Sequence, residues 1–197
     1  GGTFTDLHLI DEETGALFAL KTPSTRQDPS LAVANGIEEL RSRHGIDPAD
    51  IRYFAHGTTL AVNTLLERNG ARAGVLMTRG FTDTLELRRL RLSKANDFFV
   101  PKPVSLVPRR HVRPIDERMR ADGSVHTPIT REDVEEQVRV LVADGIETLA
   151  VCFLHAHHNP EHERLAKSWI EERFPDLYVC TSSEVWPQQR EYERSLI

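Results

Sequence analysis

Apolar residues come first in short runs separated by polar turns. Leu7-His8-Leu9-Ile10 and Ala16-Leu17-Phe18-Ala19-Leu20 are strand-sized, and Asp11-Glu12-Glu13-Thr14-Gly15 between them ends in the glycine that a hairpin connection favours. Asp28-Pro29-Ser30 supplies a helix cap followed by proline in the first turn. Leu31, Ala34, Ile37 and Leu40 then repeat at helical spacing as far as His44-Gly45. Arg52-Tyr53-Phe54-Ala55 reads as a strand that breaks at His56-Gly57-Thr58-Thr59. A helix follows with Ala61, Val62, Leu65 and Leu66 inward, ending at Asn69-Gly70, and Gly74-Val75-Leu76-Met77-Thr78 is the next buried strand. Strand, helix and strand at this length predict a βαβ unit with parallel strands.

From Arg79 to about Arg120 the periodicity fades. Pro101, Pro103, Pro108 and Pro114 interrupt an irregular excursion with short strands such as His111-Val112-Arg113, and Ala121-Asp122-Gly123-Ser124 marks a hairpin turn. Regularity returns at Thr130, which caps a helix with Asp133 three residues on. Val134, Val138, Leu141 and Val142 form its inner face, and Asp144-Gly145 ends it. Thr148 to Leu154 is a strand. Pro160 opens a helix with Leu165, Trp169, Ile170 and Phe174 inward, and Tyr178-Val179-Cys180-Thr181 is the last strand. A hairpin first and alternating elements afterwards predict an α/β architecture with a mixed sheet.

Composition narrows the picture. With 39% hydrophobic and 28% charged residues, the 197-residue chain can bury a core, which excludes a disordered tail, a fibre or a coiled coil. No apolar run approaches the roughly 20 residues that span a bilayer. The net charge of -5, from 30 acids and 25 bases mixed along the chain, recruits neither nucleic acid nor a membrane face. Cys152 and Cys180 sit in apolar stretches without CxxC spacing and read as reduced core thiols, which points to a cytoplasmic protein. The chain opens at Gly1-Gly2-Thr3, inside a turn and without an initiator Met. A turn needs a strand to enter it, so residues 1–197 are expected to be one region truncated at both ends, its first strand missing.

Candidate chemistry concentrates in two places. In Gly1-Gly2-Thr3-Phe4-Thr5-Asp6, glycines let the backbone approach an anion, and successive amides of such a turn make a donor nest. Thr3 and Thr5, two residues apart, can present hydroxyls to one side. Asp6 suits a magnesium-bound water or the orientation of a hydroxyl. An ordinary hairpin turn would look similar. His56-Gly57-Thr58-Thr59 lies where a strand meets a helix N-terminus, where amides favour anions, and Asn63 lies one turn along the same helix. Simple capping by Thr58 is the plainer alternative. His155, His157, His158 and His162 invite a metal reading, but Pro160 interrupts the i, i+4 pair and no HExxH is present. A polar loop capping the helix from Asn159 is expected, with no metal site. Arg88, Arg89, Arg91 and Lys94, with Arg109 and Arg110, suit either an anionic ligand or a solvated or subunit-facing surface. Ser93 and the other serines lack G-x-S-x-G context, so a serine hydrolase is not supported.

The GGTFTD turn followed by a hairpin, a helix and a βαβ pattern resembles the phosphate-binding opening of the actin/Hsp70/sugar-kinase ATPase superfamily. Four further motifs follow in order. They are His56-Gly57-Thr58-Thr59-Leu60-Ala61-Val62-Asn63-Thr64-Leu65-Leu66-Glu67-Arg68, Thr78-Arg79-Gly80-Phe81, Leu106-Val107-Pro108-Arg109-Arg110, and Ser183-Glu184-Val185-Trp186-Pro187 with Arg190-Glu191-Tyr192-Glu193-Arg194. Together they resemble the N-terminal region of the hydantoinase A/5-oxoprolinase family, which includes ATP-dependent hydantoinases, 5-oxoprolinases, caprolactamases and acetone or acetophenone carboxylase subunits.

The resemblance implies half of an actin-like (ribonuclease H-like) ATPase, with the adenosine-binding half missing. It implies ATP and Mg²⁺ as cofactors, a cyclic amide or ketone as substrate, and a hydantoinase B-like subunit or domain as partner. Gly1, Gly2, Thr3, Thr5 and Asp6 would then serve the phosphates, and His56, Thr58, Thr59 and Asn63 would lie at the reacting groups. The competing expectations are a ketone carboxylase subunit and a non-catalytic fragment that binds a partner. The fragment alone is expected to be inactive.

Overall fold

The computed structural model describes residues 3–25, 27–90, 94, 97, 99–101 and 103–196, and the chain divides into two compact units, residues 1–70 and 71–197.

The first unit is built on a hairpin. β1 (Phe4–Ile10) and β2 (Leu17–Pro23) pair antiparallel, from Phe4 opposite Pro23 to Ile10 opposite Leu17. Asp11 organises the turn: its Oδ1 accepts the Glu13 and Thr14 amides at 2.9 and 3.2 Å, and its Oδ2 accepts the Thr14 hydroxyl at 2.6 Å. Those bonds, the hydroxyl first, hold the Asp11 carboxyl below its ordinary pKa. α1 (Pro29–His44) begins as expected, with Asp28 Oδ1 accepting the Ser30 amide at 3.0 Å, and stops at Gly45 with φ 69°.

The buried stripe of α1 is Ala32, Gly36 and Leu40, not the Leu31-Ala34-Ile37-Leu40 series expected from spacing. Small residues decide this. A Cβ on Gly36 would lie 2.5 Å from Leu7 Cδ1, so the glycine gives the Leu7 side chain its place between α1 and the hairpin, and a larger residue would make that side chain shift.

Two expectations in this unit fail together. Arg52–Ala55 forms no strand, and Tyr53 is 84% exposed. α2 (Leu60–Glu67) is a helix, but Ala61, Val62, Leu65 and Leu66 point outward and none of its residues is buried. The βαβ unit read across residues 52–78 is therefore absent. A strand exists only where another offers its hydrogen-bonding edge, and no such edge meets residues 52–55 among the described residues.

The second unit carries the α/β layer. Its elements are β3 (Ala73–Thr78), α3 (Thr84–Leu87), β4 (Val112–Ile115), β5 (Arg118–Met119), β6 (Val125–Thr127), α4 (Arg131–Ala143), β7 (Thr148–Cys152), α5 (Glu161–Arg173), β8 (Tyr178–Thr181), α6 (Ser182–Val185) and α7 (Glu191–Arg194). The four strands of the main sheet run parallel in the order β4-β3-β7-β8. β7, α5 and β8 make a βαβ unit between neighbours. β5 and β6 form a separate hairpin that turns at Gly123, φ 82°.

The α/β class with a hairpin opening and βαβ units holds. Antiparallel and parallel pairing fall in separate sheets among the described residues. Both faces of the parallel sheet are covered, which is why its strands read as continuous apolar runs. Leu76, Leu149 and Val151 pack with Val134, Val138, Leu141 and Ile170 on one side, and Val75, Met77 and Cys152 pack with Leu85 on the other. Thr130 caps α4 by accepting the Asp133 amide. Val142 and Leu165, expected inward, lie at the solvent edge of their helices.

Candidate functional site

The sequence-predicted residues fall in the first unit as two groups. Gly1 and Gly2 lie outside the described residues. Thr3 is exposed just before β1, and its carbonyl accepts the Ser24 amide at 3.0 Å. Strand alternation puts Thr5 on the half-buried face with Leu7 and Leu9, where its hydroxyl lies 3.0 Å from that of Ser24. Asp6 is on the opposite, exposed face. Its carboxylate is 3.7 Å from Lys21 Nζ, and that ammonium lies 4.9 Å above the Phe4 ring.

The second group gathers at the start of α2. Thr59, not Thr58, occupies the N-cap position, and its side chain makes no capping bond. Thr58 Oγ1 accepts the Leu60 amide at 3.2 Å. Asn63 donates its side-chain amide to Thr59 Oγ1 at 3.3 Å and its backbone amide to the Thr59 carbonyl at 2.8 Å. His56 is exposed, its ring centroid 6.4 Å from that of Phe54. Thr58, Thr59 and Asn63 thus come together, as do Thr5 and Ser24, while the hydrogen bonds described do not join the two groups. Hydroxyls and a helix N-terminus are donors suited to phosphate oxygens. The Asp6 carboxylate, its side chain 54% exposed beside Lys21, is open enough to reach a hydrated cation.

A polar cluster that the sequence reading did not assemble lies at the C-terminal ends of the parallel strands. The Thr78 hydroxyl donates to Glu117 Oε1 and accepts the Leu154 amide at 2.9 Å, and Glu117 Oε2 is 2.6 Å from His162 Nδ1. Beside it, Glu163 accepts the Phe153 amide, the Ser182 hydroxyl and the Ser183 amide at 2.9, 2.7 and 2.9 Å. Burial pushes the Glu163 carboxyl up, against those bonds. Arg194 reaches in from α7 to the Phe153 carbonyl at 2.7 Å, the Gln188 carbonyl at 3.1 Å, His157 Nδ1 at 2.9 Å and the Ser182 hydroxyl at 3.2 Å. Open α/β sheets commonly bind ligands at this edge. Here the protein's own arginine fills it and ties β7 to β8.

Of the histidines of the expected loop, His155, His157 and His158 have neighbouring rings, the His157 ring centroid lying 6.2 Å from each of the other two, while His162 stands apart on α5. His162 is buried on α5 against Glu117, His157 faces Arg194, and the His155 amide donates to Glu191 Oε1 at 3.3 Å. Pro160 holds the N-cap position of α5 and offers no side-chain capping bond, while Asn159 Oδ1, one residue earlier, accepts the Glu161 amide at 3.0 Å. The basic residues stay at the surface: Arg89, Lys94, Arg109 and Arg110 are exposed and Arg88 is half-buried. Arg88 donates to the Tyr192 hydroxyl at 3.3 Å, Arg89 pairs with Glu193, and Arg109 donates to Asp83 and Thr82, each at 2.9 Å. Arg88, Arg89 and Leu90 all hold positive φ. Arg91 and Ser93 lie outside the described residues.

The same fold occurs in the solved structure of an ATP-dependent caprolactamase from Pseudomonas jessenii. It superposes with a TM-score of 0.85 over 98% of this chain and 29% of that one, at 36% identity. The architecture is that of an actin-like ATPase-type half. The sequence model of the hydantoinase/oxoprolinase N-terminal region matches residues 1–174, and the chain belongs to that family.

Curated relatives agree. The caprolactamase subunit alpha of P. jessenii is 35% identical over 99% of this chain and 29% of its own length. The acetophenone carboxylase gamma subunit of Aromatoleum aromaticum is 30% identical over 100% of this chain and 29% of its own. 5-Oxoprolinase 1 of Arabidopsis thaliana is 30% identical over 100% and 18%. The chain therefore spans under a third of the length of these relatives. No helix among the described residues is long and apolar enough to cross a membrane.

Proposed function

We propose that this chain is the N-terminal, phosphate-handling part of an ATP-dependent hydrolase of cyclic amides. The observation that carries the reading is the 35% identity to caprolactamase subunit alpha across 99% of the chain, on the fold shared with that ATP-dependent enzyme. Amide resonance makes the ring carbonyl a poor electrophile. The carbonyl oxygen attacks the γ-phosphorus of ATP, and the bond to the ADP oxygen breaks. Water then adds to the activated carbon and gives up a proton. The C–N bond opens as the nitrogen is protonated, leaving an acyl phosphate, and a second water hydrolyses that to the carboxylate and inorganic phosphate.

Positioning and charge stabilisation dominate such a phosphoryl transfer. Thr3 and Thr5 on the hairpin, with the flanking Gly1 and Gly2, would hold the phosphates. His56, Thr58, Thr59 and Asn63 would face the reacting groups. Magnesium, when bound, would neutralise phosphate charge, with Asp6 holding it through water. A hydantoinase B-like subunit or domain would complete the enzyme.

The test is ATP hydrolysis by the full-length protein with its hydantoinase B-like partner, in the presence of 5-oxoproline, hydantoin, caprolactam or acetone. Stimulation by a cyclic amide supports the reading, and stimulation by none of the four overturns it. Stimulation by acetone with bicarbonate alone selects the second reading, a ketone carboxylase subunit, which the 30% identity to an acetophenone carboxylase subunit favours. Residues 1–197 alone should show no substrate-stimulated turnover.

A further inference from the structure

α2 is oriented the wrong way round for a surface helix. Its polar Asn63 and Thr64 are half-buried, while Ala61, Val62, Leu65 and Leu66 face solvent, Leu66 at 78% exposure. No charged residue interrupts Leu60–Leu66. The preceding segment adds Tyr53 and Phe54, also exposed, so one continuous stretch of chain presents large apolar side chains to water. A surface helix normally does the reverse, and an apolar patch of this kind marks a contact surface. The rest of the unit cannot compensate. Ala32 and Leu40 are its buried apolar residues among those described, far less than a domain of this length needs to stand alone.

We infer that the face formed by Tyr53, Phe54, Val62, Leu65 and Leu66 is a permanent docking surface. Its occupant is the polypeptide that follows the N-terminal region in the full-length protein. Two observations favour that occupant. Residues 60–66 carry no charge, the charged Arg52, Glu67 and Arg68 flank the stretch at its ends, and the composition of the face is that of a domain core cut in half. The matched stretch covers only 29% of the caprolactamase subunit alpha and is the family's N-terminal region, so most of such a protein's length is available to supply the missing half. The inference does not depend on which reaction the enzyme performs.

A cysteine introduced by Val62→Cys or Leu66→Cys, in a Cys180→Ser background whose remaining Cys152 is buried, reports on this face by its rate of maleimide labelling. The expected result is fast labelling in the 197-residue chain and labelling slower by about tenfold or more in the full-length protein without its partner subunit. Hydrogen exchange of residues 51–67 in the two unsubstituted proteins should show the same contrast and needs no variant. Equal labelling in both proteins, with protection only when the partner subunit is added, would assign the face to that subunit and overturn the inference. So would protection that grows with the concentration of the 197-residue chain, which indicates a second copy. Protection already complete in the dilute 197-residue chain overturns it too, as does an encoded frame with no further segment to supply.

Discussion

α4 and α2 make an instructive pair, one from each unit. Both show apolar residues at helical spacing, and both form helices. α4 buries Val134, Val138 and Leu141 against a parallel sheet, whereas α2 buries nothing. Periodicity specifies the element, but burial requires a partner surface of matching shape. In residues 71–197 that partner is the sheet itself. In residues 1–70 the hairpin finds a partner in α1, through Gly36 and Leu7, and α2 finds none.

The contrast predicts where stability resides. Phe153, 1% exposed at the end of β7, should cost about 3–5 kcal/mol when changed to Ala. Leu66→Ala should stay within roughly 0.5 kcal/mol in the same chain. Urea unfolding followed by circular dichroism measures both, and a comparable loss at Leu66 would break the distinction between the units. Arg194→Met comes next. It removes the arginine bonds to the Phe153 and Gln188 carbonyls and should cost about 3 kcal/mol. Hydrogen exchange should then rise in β7 and β8 while the β1–β2 hairpin is unchanged.

The hairpin unit should answer in activity instead of stability. In the full-length enzyme, Thr3→Val or Thr5→Val keeps the β-branched shape and removes a hydroxyl. Losing a charge-assisted bond of roughly 1.5–3 kcal/mol lowers ATP-dependent turnover about 10- to 150-fold. Thr14→Val, which loses the exposed bonds to the Asp11 carboxylate and from the Ala16 amide, is the control and should leave turnover intact. Full turnover in both Thr3→Val and Thr5→Val would make the turn structural.

The smallest effect is a pH slope. Burial, then the charge of Arg194, lowers the His157 pKa from its ordinary 6.5. A depressed folded value means the stabilising contribution is complete above pH 6.5 and is lost as pH falls through that lower value. His157→Gln should therefore flatten the acid limb of the stability curve between pH 7 and 5.

Local signals were read well where the chain supplies its own partners. Asp28, Gly45 and Thr130 are caps because short-range geometry alone decides them. The strands of residues 71–197 were legible because burial on both faces leaves unbroken apolar runs. Residues 52–55 have the right composition for a strand and lack a neighbouring edge, which no local pattern reveals. Thr3, Thr5, Thr58 and Thr59 are candidates through motif order, since a hydroxyl beside a glycine or at a helix start is visible in the sequence. The Glu117–His162 and Glu163–Ser182 contacts were not. Their partners are 45 and 19 residues apart, and polar residues on a helix look solvent-facing until the fold closes over them. Arg194 belonged to a recognised motif, but its insertion between β7 and β8 could be seen only in three dimensions.

The position of Arg194 also has a consequence for biosynthesis. β3 lies inside the parallel sheet and emerges from the ribosome long before β7 and β8, its neighbour and the strand beyond, and the arginine that fastens their ends comes later still. The unit is thus assembled from the inside outward, through contacts of long sequence separation, which are slow to close. A nascent chain halted before β8 holds a sheet without one edge, its Glu163 carboxylate still lacking the Ser182 and Ser183 donors. Force-sensitive arrest peptides placed at successive points after residue 152 should register the main folding pull only when residues 178–194 have left the exit tunnel.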